Sequence, residues 1–291
     1  ASMHSVLPVA AAHIFCYVRP MMLDGHIHIR TRGQEETSLL ARRMKSAGMD
    51  GGILISLPPP AFPHVAPSGT SRERLKQVLD WCDAVPNLHP FYWIDPAEPD
   101  AVDQIGLAEE EGVMGFKIIC DRFKPGDRRV LRVAREIAGT DRPLLFHSGI
   151  LWDGKPSSPF NRPSEFEALL DIDGLKFSLA HISWPWCDEC LAVYGKFLNA
   201  GRGKSGPRVE MFIDLTPGTP AIYRREALTK LLTVGYDIEN NLIFGSDSGA
   251  AAYNVDWVRQ WIKRDTTIYR RLGVKKTVVG NIFGGNLLRF L

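Results

Sequence analysis

Eight short apolar runs, each followed by an amphipathic stretch of helix length, restrict this chain more than any other feature. The runs occupy residues 22–29, 52–56, 88–94, 113–119, 143–147, 175–181, 209–215 and 242–246. They are hydrophobic almost throughout, as strands covered on both faces are. Residues 35–47, 71–84, 101–111, 128–138, 163–170, 188–199 and 223–234 read as the intervening helices, with two more at 254–272 and 276–290. Ser71-Arg72-Glu73-Arg74 and Pro163-Ser164-Glu165 are helix starts, and Gly48 and Gly139 lie just past helix ends. Eightfold alternation of strand and helix predicts a parallel sheet closed into a (β/α)8 TIM barrel, α/β in class and a single domain. The length of 291 residues suits one such barrel. A doubly wound open sheet is the alternative, but no Gly-rich phosphate turn follows the first run.

The barrel is expected over residues 22–291. Residues 1–21 fit it poorly and read as an N-terminal extension, with Ala1 and Ser2 resembling a cloning remnant ahead of Met3. Leu7 to Val18 is apolar, yet it has neither a basic segment before it nor a small-residue cleavage site after it, so it does not read as a secretory signal. No apolar run reaches the roughly 20 residues that span a bilayer. A cytoplasmic protein with no membrane partner is the expectation.

Composition narrows the partners. The chain is 45% hydrophobic and 23% charged, enough for a large core, and its net charge of +2 lacks the basic excess of a nucleic-acid binder. A small-molecule substrate is expected, and self-association is allowed. Cys16, Cys82, Cys120, Cys187 and Cys190 are odd in number and scattered, which is no disulfide framework, and the single Cys187-x-x-Cys190 reads as helix-face thiols. Gly201-Arg202-Gly203-Lys204-Ser205-Gly206 only mimics a phosphate loop: no glycine stands where the first one belongs, and a strand follows where a helix should.

The ionisable residues fall in a pattern. In Asp24-Gly25-His26-Ile27-His28 the two histidines share a strand face, because side chains alternate with period 2. Lys117 closes the fourth run, His147 the fifth, His181 the sixth, and Asp247 follows the eighth. Strand C-termini of a barrel converge on one mouth, where active sites sit. Several nitrogen and oxygen ligands with an open position is the arrangement of a catalytic divalent ion, typically zinc, which activates water. Asp247 is assigned as the acid/base that moves the proton of that water. His181 is assigned either to a second ion or to a hydrogen bond on the developing oxyanion. The other histidines do not fit the pattern, and His64 reads as a loop residue. Arg122, Lys124, Trp152, Lys155, Arg162, Trp184, Trp186 and Tyr253 are placed around the mouth, with Arg122 and Trp184 as the substrate-binding candidates. Cations beside aromatics suit an acidic, planar or sugar-like substrate.

In this order the residues resemble the amidohydrolase superfamily, most closely its amidohydrolase-2 branch of TIM-barrel metal-dependent hydrolases and related decarboxylases. The resemblance rests on Asp24-Gly25-His26-Ile27-His28, Ile94-Asp95-Pro96, Gly112 to Lys117, Phe146-His147-Ser148-Gly149, Leu179-Ala180-His181, Gly245-Ser246-Asp247 and Gly284 to Phe290. It implies zinc or a related ion, manganese included, held by His26, His28, His147 and Asp247, with His181 acting on the substrate or the attacking water. It also implies one ion, or two if Lys117 is carboxylated and bridges them. The expected activity is hydrolysis of a lactone, ester or amide. The alternatives are non-oxidative decarboxylation of an aromatic or unsaturated acid on the same ligands, and a binding protein that kept the barrel and lost turnover.

Overall fold

The computed structural model describes residues 20–32, 37–201 and 209–291. The expected extension over residues 1–21 and the glycine-rich turn at 201–206 lie almost wholly outside the described residues. The strands are β1 (Leu23–His28), β2 (Gly51–Ile55), β3 (Leu88–Trp93), β4 (Gly115–Ile118), β5 (Leu144–Phe146), β6 (Leu175–Leu179), β7 (Val209–Asp214), β8 (Leu242–Ile243) and β9 (Ser248–Gly249). All pair in parallel, in the order β8-β7-β6-β5-β4-β3-β2-β1-β9. β8 and β9 are two pieces of one bent eighth strand. The first piece bonds to β7, and Leu215 N continues the ladder to Ile243 O at 2.7 Å. The second bonds to β1, where Gly25 N reaches Phe244 O at 2.8 Å and Asp247 N reaches His26 O at 3.0 Å. These bonds close the barrel expected from the alternation.

The helices α1 (Thr37–Ala47), α2 (Ser71–Ala84), α3 (Ala101–Glu110), α4 (Arg128–Gly139), α5 (Cys187–Gly201), α6 (Arg224–Thr233) and α7 (Val255–Arg271) follow their strands. α2 begins at a full capping box, in which Thr70 Oγ1 accepts from Glu73 N and the Glu73 carboxylate accepts from Thr70 N. Two expected helices differ. Pro163–Leu169 is a 3-10 segment, opened by its proline and held by Glu189, which accepts from Ser164 N at 3.0 Å. The last helix is broken into α8 (Lys276–Gly280), a π segment (Asn281–Gly285) and α9 (Asn286–Phe290). Its Gly284-Gly285 pair is a weak helix former.

Two apolar clusters result. The larger fills the space between the strands' outer faces and the helices, with Leu54, Tyr92, Phe116, Phe146, Phe177 and Ile213 among its members. The smaller lies inside the barrel and includes Leu23, Ile53, Phe91, Leu145, Phe212 and Ile243. α9 plugs the N-terminal end of the barrel, where the Phe290 ring lies 4.9 Å from Phe212 and 6.3 Å from Phe91. Asn286 anchors the plug by donating to Leu242 O and Glu239 O, each at 2.8 Å. The opposite end stays open. Among the described residues no helix is long and apolar enough to cross a membrane.

Candidate active site

β1 carries a bulge, and the bulge aims the histidines. Leu23 and Asp24 pair with Gly51 and Gly52, whereas Ile27 and His28 pair with Leu54 and Ile55, so β1 gains one residue on β2. Strict alternation from the inward-facing Leu23 would turn His26 and His28 outward. The extra residue reverses the phase: Ile27 joins the outer cluster and both imidazoles enter the barrel mouth. Lys117 and His147 point inward without such a device, in phase with Ile119 and Leu145. His181 comes in through a left-handed turn: His181, Ile182 and Ser183 have φ of 63°, 50° and 54°. Such conformations are rare for non-glycine residues and gather at functional sites. Asp247 has a φ of 58° as well.

These residues line one cavity of about 460 Å³, together with Arg30, His64, Trp93, Trp152 and Trp184. His26, His28 and Asp247 come closest, with one ligand atom of each within 4.8 Å of the others. His26 Nε2 faces His28 Nε2 at 3.0 Å, and His28 Nε2 lies 3.5 Å from Asp247 Oδ1. His181 packs beside them, its ring centre 5.4 Å from that of His26 and 4.9 Å from that of His147. His147 Nε2 is engaged by Ile150 O at 3.2 Å. Glycines make room for this crowding. A Cβ on Gly245 would stand 2.4 Å from Thr216 Oγ1 and 2.9 Å from His26 Cβ, and one on Gly218 would meet His181 Cβ at 2.5 Å.

Asp214, at the end of β7, is the residue the sequence reading missed. Its Oδ2 accepts from His26 Nδ1 at 2.6 Å, while Thr216 N, at 2.7 Å, and the Thr216 hydroxyl hold Oδ1. With its proton on Nδ1, His26 presents a bare lone pair at Nε2. Asp214 carries the same signal that singled out Lys117, an ionisable residue closing an apolar strand. Arg30, two residues beyond His28, also faces the cavity, and its guanidinium reaches Asp247 Oδ1 at 3.2 Å. His64 lies on the cavity wall, although its Pro-rich loop has no pattern that says so. Arg122 is absent from that wall. Its guanidinium is taken up by the buried carboxylates of Asp95 and Asp121. Tyr253 is not at the rim either: it is buried and donates to Asp24 Oδ2 at 2.8 Å. The other Asp24 oxygen accepts from Ser246 N at 2.8 Å and His26 N at 3.2 Å, tying β1 to the eighth strand.

Burial dominates the electrostatics. Desolvation holds His26, His28 and His147 well below the usual imidazole range, and brings His181 down to about 4, so all four are neutral at pH 7. Burial also lowers Lys117 to about 8, against the pull of Asp214 and Asp247. It raises Asp247 to about 6, opposed by Arg30 and Lys117. Neutral imidazoles and a carboxylate are the donors a divalent cation takes. Two Nε2 atoms turned toward each other, one of them with its proton committed elsewhere and the other on a ring whose buried Nδ1 has no partner, fit a cation between them.

No model of a known protein family matches this sequence, and neither does any curated protein. Solved structures do match. A probable 2-pyrone-4,6-dicarboxylic acid hydrolase from Acinetobacter baumannii, with citric acid bound, is 12% identical with a TM-score of 0.59, covering 92% of this chain and 98% of that one. The 5-carboxyvanillate decarboxylase of Sphingomonas paucimobilis is 13% identical with a TM-score of 0.61, at 94% and 99% coverage. An amidohydrolase from Burkhoderia ambifaria with bound Zn is 13% identical with a TM-score of 0.50, at 88% and 67% coverage. The likeness is one of fold: the (β/α)8 barrel expected from the alternation of strands and helices.

Proposed function

We propose that this chain is a metal-dependent hydrolase that cleaves a lactone, ester or amide. The reading is carried by the convergence of His26 Nε2, His28 Nε2 and the Asp247 carboxylate within 4.8 Å at the open end of the barrel. His26, His28 and Asp247 would hold a divalent ion, with His147 and His181 beside them and zinc as the ion; the zinc bound by the Burkhoderia amidohydrolase supports that choice. When bound, such an ion lowers the pKa of a water to about 7 and polarises a carbonyl.

The protein's own groups do the rest. Asp247, ionised above about pH 6, takes the proton of the attacking water and passes it to the leaving group. Neutral His181 donates a hydrogen bond to the oxyanion as it develops. Asp214 keeps the proton of His26 on Nδ1 and its ring in place. Lys117 would serve as a cation toward the substrate in a one-ion site, and once carboxylated would be a ligand if two ions bind. Trp184 walls the substrate. A reducing, cytoplasmic setting suits the four described cysteines, which are unpaired.

A second reading, decarboxylation of an unsaturated or aromatic acid, is favoured by the likeness to the 5-carboxyvanillate decarboxylase over nearly its whole length. Elemental analysis and a substrate panel separate the two. Zinc near one ion per chain, with lactone, ester or amide turnover and no CO2, supports the hydrolase. CO2 from hydroxylated aromatic acids without hydrolysis replaces it with the decarboxylase. A protein that takes up neither zinc nor manganese rejects both.

A further inference from the structure

The β5–β7 side of the mouth exposes more aromatic surface than folding explains. Trp152 is 79% exposed, Tyr223 50% and the adjoining Ile222 82%. Trp152 and Trp184 lie nearly parallel, 13° apart with ring centres at 6.4 Å, and Trp184 is 6.4 Å from Tyr223. Trp152 and Trp184 border the cavity of the histidines and Asp247. Trp184 and Tyr223 border the groove next to it, which Pro185, Cys187 and Ala227 also line. A row of aromatic rings therefore leads from the ionisable centre, over Trp184, to the outside, with Asp188, Glu189, Glu226 and Lys230 along the groove beside it. A continuous exposed apolar patch is unfavourable in water and marks a binding surface, and flat indole faces favour a flat apolar ring over a flexible chain. The charges differ across the mouth: Arg30 and Lys117 lie in the cavity, while Lys230, the cation of the groove, is paired with Asp188 and Glu226. A polar head would stay in the cavity and a neutral arm would lie over the tryptophans.

We propose that Trp152, Trp184 and Tyr223 form a subsite for a neutral, ring-bearing arm of the substrate, extending outward from the group held over His26, His28 and Asp247. The placing of the head rests on the proposed function, but the subsite is tested without turnover. Zinc-loaded protein is titrated by calorimetry with propionate, 3-phenylpropionate and hexanoate. The phenyl arm should tighten binding at least about tenfold over propionate, and more than the pentyl chain does. Trp152→Ala, at an exposed position that leaves the fold intact, should remove most of that gain while propionate affinity stays within about twofold, and Trp184→Leu should also remove most of the gain. Equal affinities for the three acids, or a ring preference that survives both substitutions, overturns the subsite. So does a wild-type dimer in sedimentation that Trp152→Ala dissociates, which would assign the rim to a second copy of the chain. Ring preference without hydrolysis of any ester or lactone retains the subsite and rejects the hydrolase; hydrolysis without ring preference does the reverse.

Discussion

At the floor of the barrel Leu23, Phe91, Phe212, Leu287 and Phe290 are buried against one another, whereas at its mouth His26, His28, Lys117, His147, His181 and Asp214 are buried and Asp247 is half-buried, ionisable groups gathered side by side. Burial has opposite energetic sign at the two ends. Each ring at the floor gains from leaving water, on the order of 1.5–3 kcal/mol for a fully buried side chain. Each ionisable group at the mouth is desolvated, and its pKa moves toward the neutral form as a result. Elsewhere a buried charge is matched: Arg224 and Asp265, both fully buried, pair through two hydrogen bonds at 2.9 and 2.6 Å. At the mouth His26 is paired with Asp214, but His28 Nδ1 and His181 Nδ1 are buried without hydrogen-bond partners. Strained backbone and ionisable groups with shifted pKa values gather at functional sites, which is the basis of the proposal for this end.

Substitutions at the two ends should therefore separate function from stability. Asp247→Asn is expected to have the largest effect, lowering turnover about 10²–10⁴-fold with the fold unchanged by circular dichroism; full activity would remove the residue from the mechanism. Phe290→Ala at the floor should cost about 3–5 kcal/mol in urea unfolding and leave zinc affinity per folded chain as it was. Loss of zinc without loss of stability would erase the distinction between the ends. Asp214→Asn should weaken zinc binding about 10–100-fold in a chelator competition, while the metal-free protein is no less stable, because a buried carboxylate with a raised pKa is gone.

The smallest effect is a pH dependence in the metal-free protein. His181 has a folded pKa of about 4, below its unfolded value of 6.5, so its contribution is fully present above pH 6.5 and is lost as pH falls toward 4. Between pH 6.5 and 5 that amounts to about 2 kcal/mol, which His181→Gln should remove from the stability profile. Asp24 and Asp247, raised to about 6, act the other way in both proteins, since the native state takes up their protons first as pH falls below that value. Superimposable profiles for the two proteins would mean that His181 is not desolvated in solution.

Much of this was legible along the chain. Strand runs such as 88–94 and 209–215 show in their hydrophobicity, and the start of α2 in Ser71-Arg72-Glu73-Arg74, although its N-cap is Thr70. Lys117 and His147 were found because they close apolar runs, and they face the cavity in simple alternation. Asp214 carries the same signal at the end of the seventh run, but its partnership with His26 shows only once the barrel has closed. Arg122 was legible as a cation after a strand, but its partners Asp95 and Asp121 come from neighbouring strand ends, and only their approach shows that the guanidinium is spoken for.

By itself the sequence determined the period of each element, the order of strands and helices, and the end of the barrel at which the ionisable residues gather, because these follow from local hydrophobicity and from strand direction. Tertiary structure alone decided phase and partnership. The bulge that turns His26 and His28 inward exists only in the pairing of β1 with β2, and the left-handed turn that brings in His181 is held by Gly218 and the Thr219 hydroxyl, which donates to His181 O. Which nitrogen of His26 is free depends on a carboxylate 188 residues away. Such features are set by contacts between distant segments, whose free energy is present only once the barrel has closed.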